Sequence, residues 1–181
     1  HFQLPEAKIC VVGNGLQPGL FSAQLNLEHR QPIIIYTLPP DRALLSLLEI
    51  FPDVRTRVPN AELHLYCGSA LYGDDESTHQ NQFGALYERA RQSEGVVLHK
   101  PVAQDRLAKR MMEAMVYAYP AHVSETFCIS LLEAQAAGLV CVSAELGAIP
   151  ERIENGINGF TVKGDPTQEC YQKEFKNRLC Q

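Results

Sequence analysis

Two glutamates, Glu125 and Glu133, mark the stretch of this sequence best suited to chemistry: Glu125-Thr-Phe-Cys-Ile-Ser-Leu-Leu-Glu133, running on through Ala134-Gln-Ala-Ala-Gly138. An ionised carboxylate only accepts hydrogen bonds, so a pair of them suits a ligand rich in hydroxyls. The same stretch leads from a loop into a helix, whose N-terminus offers unpaired backbone N–H groups and the positive end of a dipole, a natural seat for phosphate. Donors for phosphate beside acceptors for hydroxyls suggest a sugar nucleotide as ligand.

Two cations point the same way. Arg42 stands at the start of a helix that follows an apolar strand, at the same sheet end as Glu125, where its guanidinium can pair with a diphosphate. A plain surface arginine is the competing reading. Lys100, just past another strand, faces either the ligand or solvent. The glutamates also have plainer readings. Ser130-Leu-Leu-Glu133 fits a capping box, although a helix starting only after Ser130 would be very short before Gly138, and one starting near Cys128 gains a full turn. Glu125 can be a loop acid favoured by the helix dipole. Cys128 has no motif-linked base and is not read as a nucleophile.

These residues need a scaffold, and the apolar pattern supplies one. Ile33-Ile-Ile-Tyr36 is a continuous apolar run, as in a strand buried on both faces of a parallel sheet. The segments Lys8–Val12, Ala61–Cys67, Val96–His99, Ala114–Pro120, Leu139–Ser143 and Gly159–Val162 read as further strands. Helical spacing runs over Ala43–Ile50, where Pro52 is expected to bend or restart the helix, and over Gln82–Gln92 and Gln104–Met112. A short helix is expected at Pro150–Glu154, and Gly68–Asn81 is expected to be a loop. The tail from Gln168 is polar and compatible with a helix. Strands alternating with helices predict an α/β fold with a doubly wound, mostly parallel sheet, in which the loop between a strand's carboxyl end and the next helix holds the ligand.

Composition narrows the classes. At 181 residues the chain is large enough for one domain with a real core. Its 45% hydrophobic and 20% charged residues are ordinary for a globular protein. A net charge of -5 argues against a general nucleic-acid binder. The six cysteines form no CxxC pair; three lie in or beside predicted strands or the central loop and read as small buried hydrophobes in a reducing compartment. The histidines show no HxxxH or HExxH spacing, and Asp74-Asp75-Glu76 reads as a solvated run, so no metal site is expected. There is no signal-peptide pattern and no apolar run near the ~20 residues that cross a membrane.

The motifs resemble those of the retaining GT-B glycosyltransferases of family 4, the glycosyl transferases group 1. Glu125-x7-Glu133 followed by Ala134-x-x-Ala137-Gly138 is similar to the family's signature. Val11-Val-Gly-Asn14-Gly15 through Phe21 resembles the segment that ends the family's interdomain linker, and Pro40-Asp-Arg42-Ala43 resembles a short variant of its phosphate-binding loop. Gly147-Ala-Ile-Pro150-Glu151, Asn155-Gly-Ile-Asn158-Gly159 and Gly164-Asp165 resemble its later Gly-rich stretch.

The resemblance implies a Rossmann-like, nucleotide-sugar-binding domain over 22–181, preceded by a linker segment with a first strand over 1–21. It implies that Glu125 contacts the donor sugar near its anomeric centre and that Glu133 takes the ribose hydroxyls. The backbone of Thr126, Phe127, Cys128 and Ile129 would hold sugar and diphosphate, and Arg42 would neutralise the departing diphosphate. The segment from Lys100 to Val102 would contact the base. The donor would be a nucleotide-diphosphate sugar, used without metal or other cofactor, and its hexose would pass to a hydroxyl of a glycan, lipid or other acceptor. The acceptor-binding N-terminal domain and the helices that pack back across the cleft are expected elsewhere in a longer enzyme, cytoplasmic or at the cytoplasmic face of a membrane, and this chain alone is expected to be inactive. A nucleotide-sugar 2-epimerase of the same architecture and a non-catalytic binding module are the alternatives. The sequence departs from the family pattern at Thr37, where an arginine is usual, at Ala43, and at Ala148.

Overall fold

A computed structural model of the chain describes residues 5, 8–10, 12–22, 30–67 and 76–181, with 76–80 as backbone only. Six strands, β1 (Ile33–Tyr36), β2 (Glu62–Leu65), β3 (Val96–Leu98), β4 (Val116–Tyr119), β5 (Val140–Ala144) and β6 (Gly159–Val162), form one sheet in the order β3-β2-β1-β4-β5-β6. Every pairing is parallel. The central strands are apolar because both faces are covered: Ile34, Ile35, Tyr36, Tyr117, Ala118 and Tyr119 are all buried.

The covering helices are α1 (Pro40–Arg57), α2 (Glu76–Gln92), α3 (Gln104–Glu113), α4 (Ile129–Ala136) and α5 (Glu169–Leu179). Right-handed crossovers require α1 and α2, which carry the chain outward from β1, to lie on one face, and α3 and α4, which carry it the other way, to lie on the opposite face. The strand order therefore reverses between β1 and β4. Outside the carboxyl ends of those two strands the flanking loops diverge and leave a crevice.

Several boundaries differ from the sequence expectation. Helix α1 passes through Pro52 without a break. Pro52 lies on its exposed side, and one missing backbone bond is outweighed by burial of Leu44, Leu47, Leu48, Phe51 and Val54. Helix α2 begins at Glu76 rather than at Gln82, so part of the expected loop is helical, while Asp74 and Asp75 lie outside the described residues. The short helix after β5 is a 3-10 turn at Ile149–Glu151. No strand forms at residues 8–10 or 12, where Ile9 and Val12 are largely exposed with no strand beside them, and Val11 lies outside the described residues. The tail is helical, as α5.

Candidate functional site

The crevice at the strand-order reversal is where the candidate residues gather. Helix α1 starts immediately after β1 with Pro40 in its first turn, a position where proline's missing N–H costs nothing. This places Arg42 in the first turn, with its N–H bonded to the carbonyl of Pro39. Across the reversal, β4 ends at Tyr119 and the chain continues through Ser124 and Glu125 to α4. The two sides meet: Arg42 Nη1 lies 3.9 Å from Glu125 Oε1. Glu125 is mostly covered and Arg42 about one-third exposed, so the pair forms the wall of a cleft rather than a solvated surface contact.

Glu125 is fixed from two further directions. Its Oε1 accepts a hydrogen bond from the Tyr119 hydroxyl at 2.6 Å. Its carbonyl accepts the N–H of Ala148 at 2.8 Å. Gly147, at φ +60°, makes that approach feasible, since a Cβ there would stand 2.3 Å from the Glu125 carbonyl oxygen. Ala148 has φ -80°, ordinary for any residue, so the alanine in place of glycine requires no special backbone. Burial pushes the Tyr119 phenol well up, and its bond to the Glu125 carboxylate pushes it further in the same direction, so it stays a donor.

The entry to α4 is built on Cys128, the single described non-glycine residue with positive φ, at 62°. Its side chain is buried against Tyr117 and Ser130, whose hydroxyls lie 2.8 Å apart, and burial raises the thiol above its usual range. The capping box is not formed. Ser130 lies inside the helix and bonds to Tyr117, while Glu133 Oε1 accepts from Gln104 Nε2 at 2.7 Å. Glu133 is 9% exposed. A buried carboxylate requires a partner, and Gln104 reaches it from the start of α3.

Of the remaining residues singled out in the sequence, Thr126 and Ile129 are exposed at the start of α4. Phe127 is half-buried: the Arg152 guanidinium lies over its ring, 3.3 Å from the centroid, and Gly13 lies against its edge. Lys100 and Val102 are exposed on the connection leaving β3, an edge strand two places from β1. Thr37, just past β1, keeps its hydroxyl buried without a hydrogen-bond partner among the described residues.

Sequence reasoning overlooked Tyr119, noted Gln104 only as a helix start, and gave Arg152 no role. Tyr119 carried a signal as the last strand residue before the loop; the other two carried none, since their partners are brought near by the fold alone. Among the described residues no group of histidine, cysteine, aspartate or glutamate is arranged to hold a metal ion, and no helix is long and apolar enough to cross a membrane. A separate cavity of about 1210 Å³, lined in part by Arg30, Met115, Val140, Ile157 and Arg178, opens at the amino ends of the strands, away from this crevice.

The comparisons with known proteins follow the same lines. The family model for glycosyl transferases group 1 matches residues 30–173. The chain is 32% identical over 123 residues to a D-inositol 3-phosphate glycosyltransferase of Streptomyces griseus, covering 68% of this chain and 25% of that protein. It is 24% identical over 173 residues to the lipopolysaccharide 1,2-N-acetylglucosaminetransferase of Salmonella typhimurium, covering 87% and 44%. The chain thus spans less than half the length of these curated relatives. Among solved structures, Anabaena HepE in complex with UDP-glucose aligns with a TM-score of 0.68 at 20% identity, covering 92% of this chain and 45% of that one. A glycosyltransferase from Rickettsia africae aligns with a TM-score of 0.69 at 17% identity, covering 98% and 51%. At these identities the two structures establish a shared fold.

Proposed function

The chain belongs to the glycosyl transferases group 1 family, and on that premise we propose that it is the donor-binding domain of a retaining, family 4 glycosyltransferase of GT-B architecture. In this reading residues 1–21 belong to an interdomain linker and 22–181 form the C-terminal domain of a longer enzyme. That enzyme moves a hexose from a nucleotide-diphosphate sugar to an acceptor hydroxyl.

The observation that carries the proposal is the convergence of Arg42 and Glu125, 3.9 Å apart, in the crevice at the strand-order reversal and beside the N-terminus of α4. In sugar transfer the leaving diphosphate gains negative charge, and fixed cations and helix N–H groups stabilise it without reorganising. Arg42 supplies the cation, and the backbone of Thr126 to Ile129 supplies the donors. Glu125 accepts a hydrogen bond from a sugar hydroxyl, and Glu133 accepts from the ribose. Lys100 and Val102 flank the base. The relatives are named as a D-inositol 3-phosphate glycosyltransferase and a lipopolysaccharide N-acetylglucosaminetransferase, and HepE was solved in complex with UDP-glucose, which supports a nucleotide-sugar partner here. In this reading the acceptor site belongs to another domain of the longer enzyme, so no turnover is expected from this chain alone; transfer to a simple acceptor would contradict that.

Thermal-shift titration with UDP, GDP and ADP, each free and as its sugar conjugate, tests the reading. A ligand that binds only the native state raises the melting temperature by mass action, by about 2.7 kcal/mol of stability at a hundredfold excess over Kd. The expected result is a concentration-dependent rise with one base. If none of the diphosphates or conjugates moves the melting temperature, the donor-site reading fails.

A further inference from the structure

The candidate site holds a residue that the motifs do not mark. Tyr119 closes β4, and its ring is fully buried. Its backbone is held as well, because its carbonyl accepts both the Ser143 hydroxyl and the N–H of Ala121, each at 2.8 Å. A buried ring on a fixed backbone has no freedom to re-aim its hydroxyl, and a buried phenol needs a partner. Two neighbouring tyrosines meet that need without touching either candidate carboxylate: Tyr36 donates to the carbonyl of Pro39, and Tyr117 pairs with Ser130 and contacts the Cys128 sulfur. Tyr119 instead points its proton at Glu125 Oε1, at 2.6 Å, a length typical of a hydroxyl donating to a carboxylate.

The same oxygen faces Arg42, so one side of the carboxylate is committed to the protein. Oε2 has no partner among the described residues, while the N–H of Ala148 holds the glutamate's backbone carbonyl, an approach that the absence of a Cβ at Gly147 permits. Glu125 is thus clamped with one carboxylate oxygen, Oε2, left unpartnered.

Building on the nucleotide-sugar reading, we propose that Tyr119 is the positioning residue for Glu125, fixing its carboxylate so that Oε2 alone meets the donor's sugar. Tyr119 acts through Glu125 and touches neither base nor diphosphate. Its removal therefore alters recognition of the sugar and spares recognition of the nucleotide.

The test compares the chain with its Tyr119→Phe, Glu125→Ala and doubly substituted forms. Each is titrated with UDP, GDP and ADP and with UDP-glucose, GDP-mannose and ADP-glucose. Tyr119→Phe keeps the buried ring, so the fold is retained, and a melting temperature without ligand checks this. The measured quantity is the ratio of Kd for the free diphosphate to Kd for its sugar conjugate. Tyr119→Phe is expected to lower that ratio about tenfold, the size of one hydrogen bond to a charged group, with the free diphosphate's Kd within about twofold of the unsubstituted chain. In the Glu125→Ala background the same substitution is expected to change nothing further. A ratio that stays constant in Tyr119→Phe, or effects that add independently in the double variant, overturns the inference while leaving the nucleotide-sugar reading intact. A chain that binds none of the six ligands overturns that reading, and the inference with it.

Discussion

Gln104 donates to Glu133 across the strand-order reversal: Nε2 lies 2.7 Å from Oε1, tying the first residue of α3 to the middle of α4. The bond joins the connection that leaves β3 to the helix that leaves β4. A carboxylate held this way presents its remaining lone pairs in a set direction. It also explains how Glu133 is kept at 9% exposure within a helix otherwise rich in leucine and alanine.

If Glu133 accepts ribose hydroxyls, Glu133→Ala weakens nucleoside diphosphate binding by about 1.5–3 kcal/mol, roughly ten- to a hundredfold. The loss is confined to ligands that have those hydroxyls. Calorimetry with a nucleoside diphosphate and its 2′,3′-dideoxy analogue checks this. The unsubstituted chain prefers the ribose form, and Glu133→Ala binds both alike. A variant that keeps the preference refutes the assignment.

Arg42→Ala is expected to reduce affinity for a nucleoside diphosphate by at least tenfold and to leave a nucleoside without phosphate unaffected, because a guanidinium pairs with phosphate oxygens in a fixed fork. The contribution weakens as salt is raised, since Arg42 is partly exposed and its field is screened. Arg42→Lys restores the charge but not the fork and recovers part of the affinity. Equal losses for nucleoside and diphosphate would place Arg42 in a structural role instead.

Gly147→Ala is expected to destabilise the fold by about 2–4 kcal/mol, combining a left-handed backbone with overpacking. Its Cβ would stand 2.3 Å from the carbonyl oxygen and 2.6 Å from the nitrogen of Glu125, and backbone atoms cannot move aside as a flexible side chain can. Urea unfolding measures the change through the midpoint. Gly15 is a suitable control, because a Cβ there meets nothing within 4 Å. Similar midpoints for the two variants would show that the loop does not press on Glu125 in solution.

The buried thiols give a pH signature. Burial raises Cys141 from 9.0 to about 12, so between those values the unfolded chain has released a proton that the folded chain retains. The unfolded state is then favoured as pH rises, and stability is lost between about pH 9 and 12. Cys141→Ala flattens that part of the profile, as read from chemical denaturation at each pH. Exposed Cys10 and Cys170 react with a thiol reagent in the native state, whereas Cys67, Cys128 and Cys141 react only on unfolding. Rapid native labelling of Cys141 would contradict its placement.

Much of this architecture was legible because burial on both faces leaves a continuous apolar signature. Ile33–Tyr36 and Gly159–Val162 are strands with the bounds read from the sequence, and the ends of the other strands of the sheet moved by at most two residues. Pro52 misled because local propensity registers a missing N–H, while the helix is held by its buried side chains, Leu44, Leu47, Leu48, Phe51 and Val54 among them. The segment 8–12 misled in the opposite way. Its apolar residues imitate a strand, but a strand exists only where a neighbour supplies the other half of the ladder, and none stands beside the described residues there.

At the site the division is equally physical. The sequence determined which residues carry charge and which stand at strand ends and helix starts, because those are properties of residue type and local order; Arg42, Glu125 and Glu133 follow from them. The tertiary structure decided the pairings: Arg42 with Glu125, Tyr119 with Glu125, Gln104 with Glu133, and Arg152 on Phe127. Gln104 and Glu133 lie 29 residues apart in sequence, and no local rule brings them together. What brings them together is the sheet topology, which carries the chain from β3 across to β4 and so sets the start of α3 within reach of α4 at the carboxyl edge of the sheet. A hydrogen bond depends on distance and angle between two side chains, and those are set by the packing of whole elements.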